Sequence, residues 1–160
     1  MNFLRALWRD ENGTAFIETA LVAPILVTLG FGVFEFANVF RIHQTVTTGV
    51  HDAARYLART SDPNNSTNQL RAKTLAVNGS IDGSTPRVPG WTVGTVTVSI
   101  AAIANPVIPA TGAPAYRGGD PLYVVTVGTN FSYGQIGFLT GLGLAPPSIV
   151  LAHSERAIGG

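Results

Sequence analysis

A long apolar run near the N-terminus constrains the fold of this chain more than any other feature. Residues 14–40 are mainly apolar, and the strongly polar side chains within them are those of Glu18, Glu35 and Asn38. A helix needs about 20 mainly apolar residues to cross the hydrocarbon core of a bilayer. The run therefore predicts a transmembrane helix. Pro24, Gly30 and Gly32 would weaken a helix in water, but membrane helices tolerate such residues.

Two other interpretations of this run are a buried core helix and a secretory signal peptide. The remaining chain is too small to surround an apolar helix of this length, which disfavours the core helix. A signal peptide has an apolar region of about 7 to 15 residues that ends in small residues. Here the run continues through "FEFANVF", residues 34–40, into an amphipathic pattern, so we expect the segment to be retained.

The charges that flank the run are almost balanced. Positive groups at Met1, Arg5 and Arg9 precede it, and Arg41, Arg55 and Arg59 follow it. Positive charge favours the cytoplasmic side of a membrane helix, but the count decides little here. A short leader before a long polar domain still favours a cytoplasmic N-terminus, with the larger part of the chain outside.

Composition excludes several classes of function. Charged residues make up 12% of the chain, the formal net charge is +1, and Lys73 is the only lysine. Nucleic-acid binding requires clustered basic residues, so we expect no nucleic-acid partner. The absence of cysteine excludes disulfides, thiolate metal sites and cysteine nucleophiles.

The sequence has no recognisable catalytic or metal-binding motif. His43 and His51 are two helical turns apart, rather than the single turn that lets two histidines share a metal. His153 stands beside Ser154 without an accompanying motif. We expect structural or surface histidines, no catalytic residues, no metal and no cofactor, and therefore a protein that is not an enzyme.

A glycine precedes the carboxylate at the start of the apolar run. Gly13 followed by "TAFIE", residues 14–18, resembles the processing site of type IV prepilins. In that family a membrane peptidase cuts after the glycine, on the cytoplasmic side, and leaves the helix in place. Glycine suits such a site because no side chain hinders an extended backbone. The resemblance implies cleavage between Gly13 and Thr14, removal of residues 1–13, and Glu18 as the fifth mature residue.

Cleavage would give the Glu18 carboxylate a partner. The new α-amine of Thr14 is positive, and a carboxylate one turn along, or on a neighbouring subunit, can pair with it where an unpaired charge is strongly penalised. We predict that this pairing sets the register between subunits. In the alternative interpretation, Glu18 only extends its carboxylate to the cytoplasmic interface.

The first third of the chain carries a more specific set of features. They are Gly13 with Glu18, Pro24, the "FGVFEF" block that contains Glu35, and the closing "AARYLAR" of residues 53–59. Together they resemble the TadE-like domain of the tight-adherence (Flp) type IV pilus system. Thr19 departs from the aromatic that the pilins of this system usually carry after the glutamate. This departure and the length of the chain argue against the major Flp pilin, so the resemblance implies a minor pseudopilin.

The chain after the run predicts two helical stretches. Val46, Val50, Ala53 and Leu57 recur at helical spacing, so we expect the long helix to leave the membrane and lay one apolar stripe on a small domain. Pro63 lies in the polar segment that ends it. Ser66 is a candidate N-cap of a second helix at about residues 68–77.

The second half of the chain predicts a sheet. Residues 91–100, 121–133 and 148–158 predict three strands, separated by loops. The apolar, glycine-rich residues 131–147 are either a short helix or a surface for a neighbouring subunit. The fold class is therefore α+β, a long N-terminal transmembrane helix that continues into a small antiparallel-sheet domain. This ladle shape is the one expected of pilins.

These inferences divide the chain into a cytoplasmic leader (1–13), a transmembrane helix with its extension (14–59) and an extracytoplasmic α+β domain (60–160). The resemblance implies a single-pass protein of the bacterial inner membrane, with its domain in the periplasm, that assembles or primes the Flp pilus. Its partners would be membrane lipid, the prepilin peptidase, other pilins and pseudopilins, and the inner-membrane assembly platform. Glu35 and Pro24 are candidate intramembrane or interface contacts. The alternative is a bitopic envelope protein whose outer domain is a binding module.

Overall fold

A computed structural model describes residues 11–117, 119–134, 137–141, 143, 145 and 147–157 of the chain. Its longest element is helix α1 (Glu11–Ala58), which continues without a break through Pro24. No residue from 13 to 41 is buried. The most apolar window of the helix has a mean hydropathy of 2.0 and is 0% buried, and the helix is long and apolar enough to cross a membrane. This exposure contradicts the buried core helix.

Beyond residue 41, one face of α1 is buried in the domain. The apolar stripe predicted from the sequence is confirmed, with the addition of Ile42: the buried positions are Ile42, Val46, Val50, Ala53 and Leu57. Residues at this spacing lie on one side of a helix. The same helix therefore has an exposed apolar segment at one end and an amphipathic segment at the other.

Helix α2 (Ser66–Asn78) is capped one residue before the predicted position. The Asn65 side chain is the N-cap, since its Oδ1 accepts the backbone N–H groups of Thr67 at 2.9 Å and Asn68 at 3.4 Å. The prediction of Ser66 as the cap was therefore wrong. Asparagine and serine cap helices about equally well, so the choice between adjacent candidates depends on the backbone. Gly79, in the left-handed conformation at φ 78°, ends the helix.

Three antiparallel strands, β1 (Val96–Ile103), β2 (Leu122–Ser132) and β3 (Ser148–Arg156), form a sheet in the order β1-β2-β3. The α+β class and the three strands are confirmed. The first strand starts later than predicted, because Val93–Thr95 form a turn of 3₁₀ helix. Helix α1 contacts β2 and β3, and α2 contacts α1 and β1. Both helices thus cover one face of the sheet.

The core lies between this face and the helices, and Trp91 is its largest fully buried side chain. The indole Nε1–H donates to Thr129 Oγ1 at 3.1 Å, and that hydroxyl donates to Thr95 O at 3.1 Å. Both partners of this buried hydrogen bond are therefore satisfied. Phe131 packs beside the indole, with ring centroids 6.4 Å apart.

The strand β2 runs antiparallel to α1 and returns towards the membrane end of that helix. Val127 pairs with His153, whose ring stacks on His51 of α1. Further along β2, Tyr133 reaches Asn38 of α1. Six residues of strand and thirteen residues of helix both span about 20 Å, so the two contacts agree on the direction. A short helix α3 (Gly137–Gly141), which also contacts α1, follows β2.

Candidate functional site

The predicted cleavage site lies in the first turns of α1. This helix begins at Glu11, two residues before Gly13, so the structure shows a helical glycine rather than the extended one that a peptidase would bind. A Cβ atom placed on Gly13 would have no neighbour within 4 Å. Glycine costs a helix interior about 0.5–1 kcal/mol relative to alanine. No contact in the described part of the chain therefore requires glycine at this position.

The carboxylate of Glu18 is exposed on the same helix. It lines a shallow groove of about 370 Å³ whose other residues are Ala15, Thr19, Val22, Ala23 and Leu26. Among the described residues, no ion pair or hydrogen bond to the Glu18 side chain is found. Thr14 and Glu18 are four residues apart, a spacing that places both on one face of a helix. The helix thus presents a carboxylate in an apolar groove, one turn beyond the predicted new chain end.

Pro24 is accommodated without a break in α1. Threonine hydroxyls near it bond within the helix: Thr19 Oγ1 donates to Ala15 O at 2.8 Å, and Thr28 Oγ1 donates to Pro24 O at 2.7 Å. In a lipid environment an unbonded hydroxyl would be costly. These local bonds therefore fit a helix that is surrounded by acyl chains.

Glu35 lies near the other end of the apolar run. It is half-buried and lines a groove of about 560 Å³ with Val27, Phe31, Phe34 and Asn38. Glu35 lies seventeen positions after Glu18 in the sequence, which is about 26 Å along the helix at 1.5 Å per residue. This distance is close to the hydrocarbon thickness of a bilayer, about 30 Å. The two glutamates therefore lie near opposite boundaries of the span.

A polar junction ties the helix to the sheet just beyond Glu35. The Asn38 amide Nδ2 donates to the Tyr133 hydroxyl at 3.5 Å, and Arg41 Nη2 donates to Asn38 Oδ1 at 3.1 Å. Tyrosine and arginine are both favoured where a helix leaves the bilayer. We refer to Asn38, Arg41 and Tyr133 as the interface cluster.

Two histidines that are far apart in the sequence meet on the domain. The rings of His51 on α1 and His153 on β3 stack with centroids 3.7 Å apart, and His153 Nε2 lies 3.1 Å from Glu155 Oε1. The hydrogen bond from His153 lowers the pKa of the Glu155 carboxyl below its usual value. Desolvation opposes the shift, and the charges of His153, Arg55 and His51 add to it. The sequence carried no signal for this contact, because the two histidines lie in different elements.

An open groove of about 460 Å³ lies between the C-terminal ends of α1 and α2. Its charged residues are Asp52, Arg55, Arg59 and Arg87, and Arg87 Nη2 lies 2.9 Å from Asp52 Oδ2. A Cβ atom on Gly79 would come within 2.7 Å of Arg87 Nε, so the glycine makes room for this arginine. Cations are favoured at helix C-termini. The presence of these arginines can therefore be explained by the structure of the domain as well as by the binding of a ligand.

The described residues contain no group of three or more histidine, cysteine or acidic side chains that could hold a metal ion. His43 and His51 remain two turns apart on α1, and only His51 meets another histidine. The features that the structure shows most clearly are a membrane helix and its junction with a domain.

In the comparison with known proteins, a family match falls on the same helix. Residues 13–55 match the family model described as "TadE-like protein". The match confirms the resemblance seen in the sequence over about a quarter of the chain, a segment that includes Gly13, Glu18, Pro24 and Glu35. It points to a membrane protein associated with the Tad pilus. The chain has no match among the curated proteins and none among the solved structures.

Proposed function

We propose that this chain, whose helix α1 carries the TadE-like segment at residues 13–55, is a minor pseudopilin of the Tad (Flp) pilus. It is a structural protein rather than an enzyme, and it assists assembly of the fibre. The observation that carries the proposal is that Gly13 and an exposed Glu18 occur together, five residues apart, at the start of a membrane helix. No contact in the described residues accounts for either one, whereas processing and subunit pairing account for both.

The first step is cleavage after Gly13. The prepilin peptidase would have to unwind the first turn of α1, which is a small cost because helix ends fray readily. The amine released at Thr14 lies one helical turn before Glu18, on the same face. An amine and a carboxylate that pair in lipid cost far less than either charge alone.

The second step is assembly. In the bilayer the exposed side chains of α1 contact lipid, and in a bundle they would contact the helices of other pilins and pseudopilins. Both surroundings are apolar, so the exchange is driven by packing and polar pairing rather than by the hydrophobic effect. The groove beside Glu18 then receives the α-amine of a neighbouring subunit, and this contact sets the register.

Location and partners follow from this role. The protein is held in the bacterial inner membrane, with its N-terminus in the cytoplasm and the α+β domain in the periplasm. Its partners are the prepilin peptidase, the other pilins and pseudopilins and the inner-membrane assembly platform. The long exposed helix supports the membrane anchor, and the family match supports the pilus.

Mass spectrometry of the protein extracted from membranes tests the processing step. We expect a mature chain that begins at Thr14, and we expect Gly13→Arg to retain residues 1–13, because a side chain then obstructs the peptidase. The same substitution at another glycine of the helix, Gly32→Arg, is unsuitable as a control because it would disturb the membrane span. The matched control is Asn12→Ala, which keeps Gly13 and should be cleaved. A wild-type protein that keeps its first thirteen residues would overturn the proposal.

Fibre production tests the pairing step. We expect Glu18→Gln to be cleaved normally but to reduce the number of pili on the cell surface, since the amide cannot neutralise an α-amine. Glu18→Asp keeps the charge and should retain part of the function. Normal piliation with Glu18→Gln would remove the role of this carboxylate.

The second candidate is a membrane-anchored binding module. The groove with Arg55, Arg59 and Arg87 favours it, because three arginines line it and, among the described residues, only Arg87 is paired with the carboxylate of Asp52. An uncleaved N-terminus, together with normal piliation in cells that lack the protein, would favour this alternative over a pseudopilin.

A further inference from the structure

We propose that the groove between the C-terminal ends of α1 and α2 binds an oxyanion, a carboxylate or phosphate group, through Arg55, Arg59 and Arg87. The groove is open and has a volume of about 460 Å³, and we refer to it as the arginine groove. Cleavage after Gly13 and pairing by Glu18 both concern the opposite end of α1. The oxyanion site is therefore an additional function, which a pseudopilin and a binding module could each carry.

Helix α1 supplies one wall of the arginine groove. Asp52, Arg55, Tyr56 and Arg59 line it, and their spacing of three, four and seven residues places them on one side of the helix. The side chains of Arg55 and Arg59 are both exposed. Like charges four residues apart on a helix repel each other. An anion bound between these two guanidinium groups would remove the repulsion.

The opposite wall holds Arg87 in a fixed position. Its backbone N–H donates to Val77 O at 2.8 Å, and its Nη2 donates to Asp52 Oδ2 at 2.9 Å. Gly79 leaves the space that the guanidinium occupies, and the side chain of Arg87 is only 22% exposed. A guanidinium has five N–H donors, so the bond to Asp52 leaves others for a ligand. Because this arginine is already ordered, binding costs less conformational entropy.

The charge of the arginine groove is not balanced within the domain. Three arginines against one aspartate leave it a formal charge of +2, whereas the net charge of the whole chain is +1. Among the described residues, no hydrogen bond or ion pair of the Arg55 or Arg59 side chain is found. The charge of Arg55 does reach Glu155, but that carboxylate is already hydrogen-bonded to His153. The groove therefore has room for a further negative group.

The helix ends explain only part of this arrangement. The C-terminal end of a helix attracts cations, which accounts for Arg55 in the last turn of α1 and for Arg87 beside the end of α2. It does not call for a second cation, Arg59, one turn beyond Arg55. The third arginine is the one that a ligand explains best.

The side chains and their position indicate the kind of ligand. The planar fork of a guanidinium matches the paired oxygens of a carboxylate or a phosphate. Arg55 lies twenty positions after Glu35, or about 30 Å along the helix, whereas the headgroup layer on one side of a bilayer is about 5–8 Å deep. The oxyanion therefore comes from the aqueous compartment that the domain faces, and not from the lipid that surrounds α1.

Isothermal titration calorimetry of the full chain in an uncharged detergent tests the site. The probes are inorganic phosphate, citrate and linear polyphosphate, at an ionic strength held constant with chloride. We expect one site per chain, and we expect Arg55→Gln and Arg59→Gln each to weaken binding about tenfold, because each removes charge-assisted hydrogen bonds. Arg71→Gln is the matched control. It removes the same charge from an exposed position on α2 outside the groove, and it should leave the affinity unchanged.

Polyphosphate distinguishes the two sources of the ligand. Tighter binding of polyphosphate, counted per phosphate unit, would assign the groove to an anionic group on a larger molecule, and equal or weaker binding would assign it to a free ion. Thermal unfolding followed by tryptophan fluorescence checks that each variant is folded, as expected for substitutions of exposed side chains. Absence of binding to all three probes by the wild type would overturn the proposal. So would an equal loss in Arg71→Gln, which would indicate attraction by overall charge.

The outcome is separate from the pilus assignment. A failure to bind would remove the observation that favours a binding module, and it would leave cleavage and piliation to decide the role as a pseudopilin. An uncleaved N-terminus would overturn the pseudopilin and leave the oxyanion site untouched.

Discussion

At the scale of single residues, Gly49 shows how tightly α1 meets the rest of the domain. A Cβ atom at this position would clash with the carbonyl oxygen of Ala76 and lie 2.7 Å from Trp91 Cη2. The obstructing atoms belong to a backbone and to the largest buried side chain of the core, so neither can move cheaply. The glycine is required by packing, unlike Gly13.

This contact predicts the effect of one methyl group. Gly49→Ala raises helix propensity by about 1 kcal/mol, but overpacking should more than offset this and lower the free energy of unfolding by about 1–3 kcal/mol. Urea unfolding in detergent, followed by tryptophan fluorescence, would measure it. Gly94→Ala is the control, since its nearest neighbour is Thr92 Oγ1 at 3.9 Å. Equal stability of the two variants would contradict the packing argument.

At the scale of elements, the N-terminus of α2 depends on one side chain. Asn65 Oδ1 accepts two backbone N–H groups, which would otherwise lack partners in the first turn. We expect Asn65→Ala to destabilise the domain by about 0.5–2 kcal/mol. Ser66→Ala, one residue later, should cost less than about 0.5 kcal/mol. Thermal unfolding of both variants checks the order, and a larger loss at Ser66 would restore it as the cap.

The elements differ in how far the sequence could predict them. Helix α1 and the strands followed from hydrophobic patterns, which depend on neighbours a few residues away. The contacts between elements did not. His51 and His153 stack across two elements, and Arg87 bonds to Asp52 through the space that Gly79 leaves. Such contacts depend on how the elements pack, which no local pattern contains.

The sequence predicted one part of the candidate site and missed another. Gly13, Glu18, Pro24 and Glu35 were chosen from the sequence, and the structure places them all on one helix. The interface cluster was not predicted, because Tyr133 reaches Asn38 only through the return of β2. Sequence reasoning therefore found the residues of the helix and missed the side chains that meet them from the sheet.

At the scale of the whole molecule, the stability of the fold should depend on pH. The hydrogen bond from His153 lowers the pKa of Glu155 below its usual value of 4.5. A carboxyl whose pKa is lower in the folded state stabilises the fold above the unfolded pKa, and this contribution is lost as the pH falls through the lower, folded value. The loss should therefore appear below pH 4.5, and it should be under about 1 kcal/mol, because exposed pairs are weak.

Unfolding free energies at pH 7 and pH 3 would measure this contribution. We expect the drop to be smaller in Glu155→Gln than in the wild type, because the amide has no proton to gain. Asp82→Asn, an exposed carboxyl in another part of the domain, is the control and should leave the drop unchanged. An equal drop in the wild type and Glu155→Gln would show that the contact adds nothing.

The unbroken course of α1 has a mechanical consequence for the molecule. A rod of 48 helical residues is about 72 Å long, and its far third is fixed in the core of the domain. Because the helix is continuous between the two parts, a force or a torque applied to the end inside the bilayer would be transmitted directly to the sheet. An assembly machine that moved the membrane end of α1 would therefore move the domain at the other end with it.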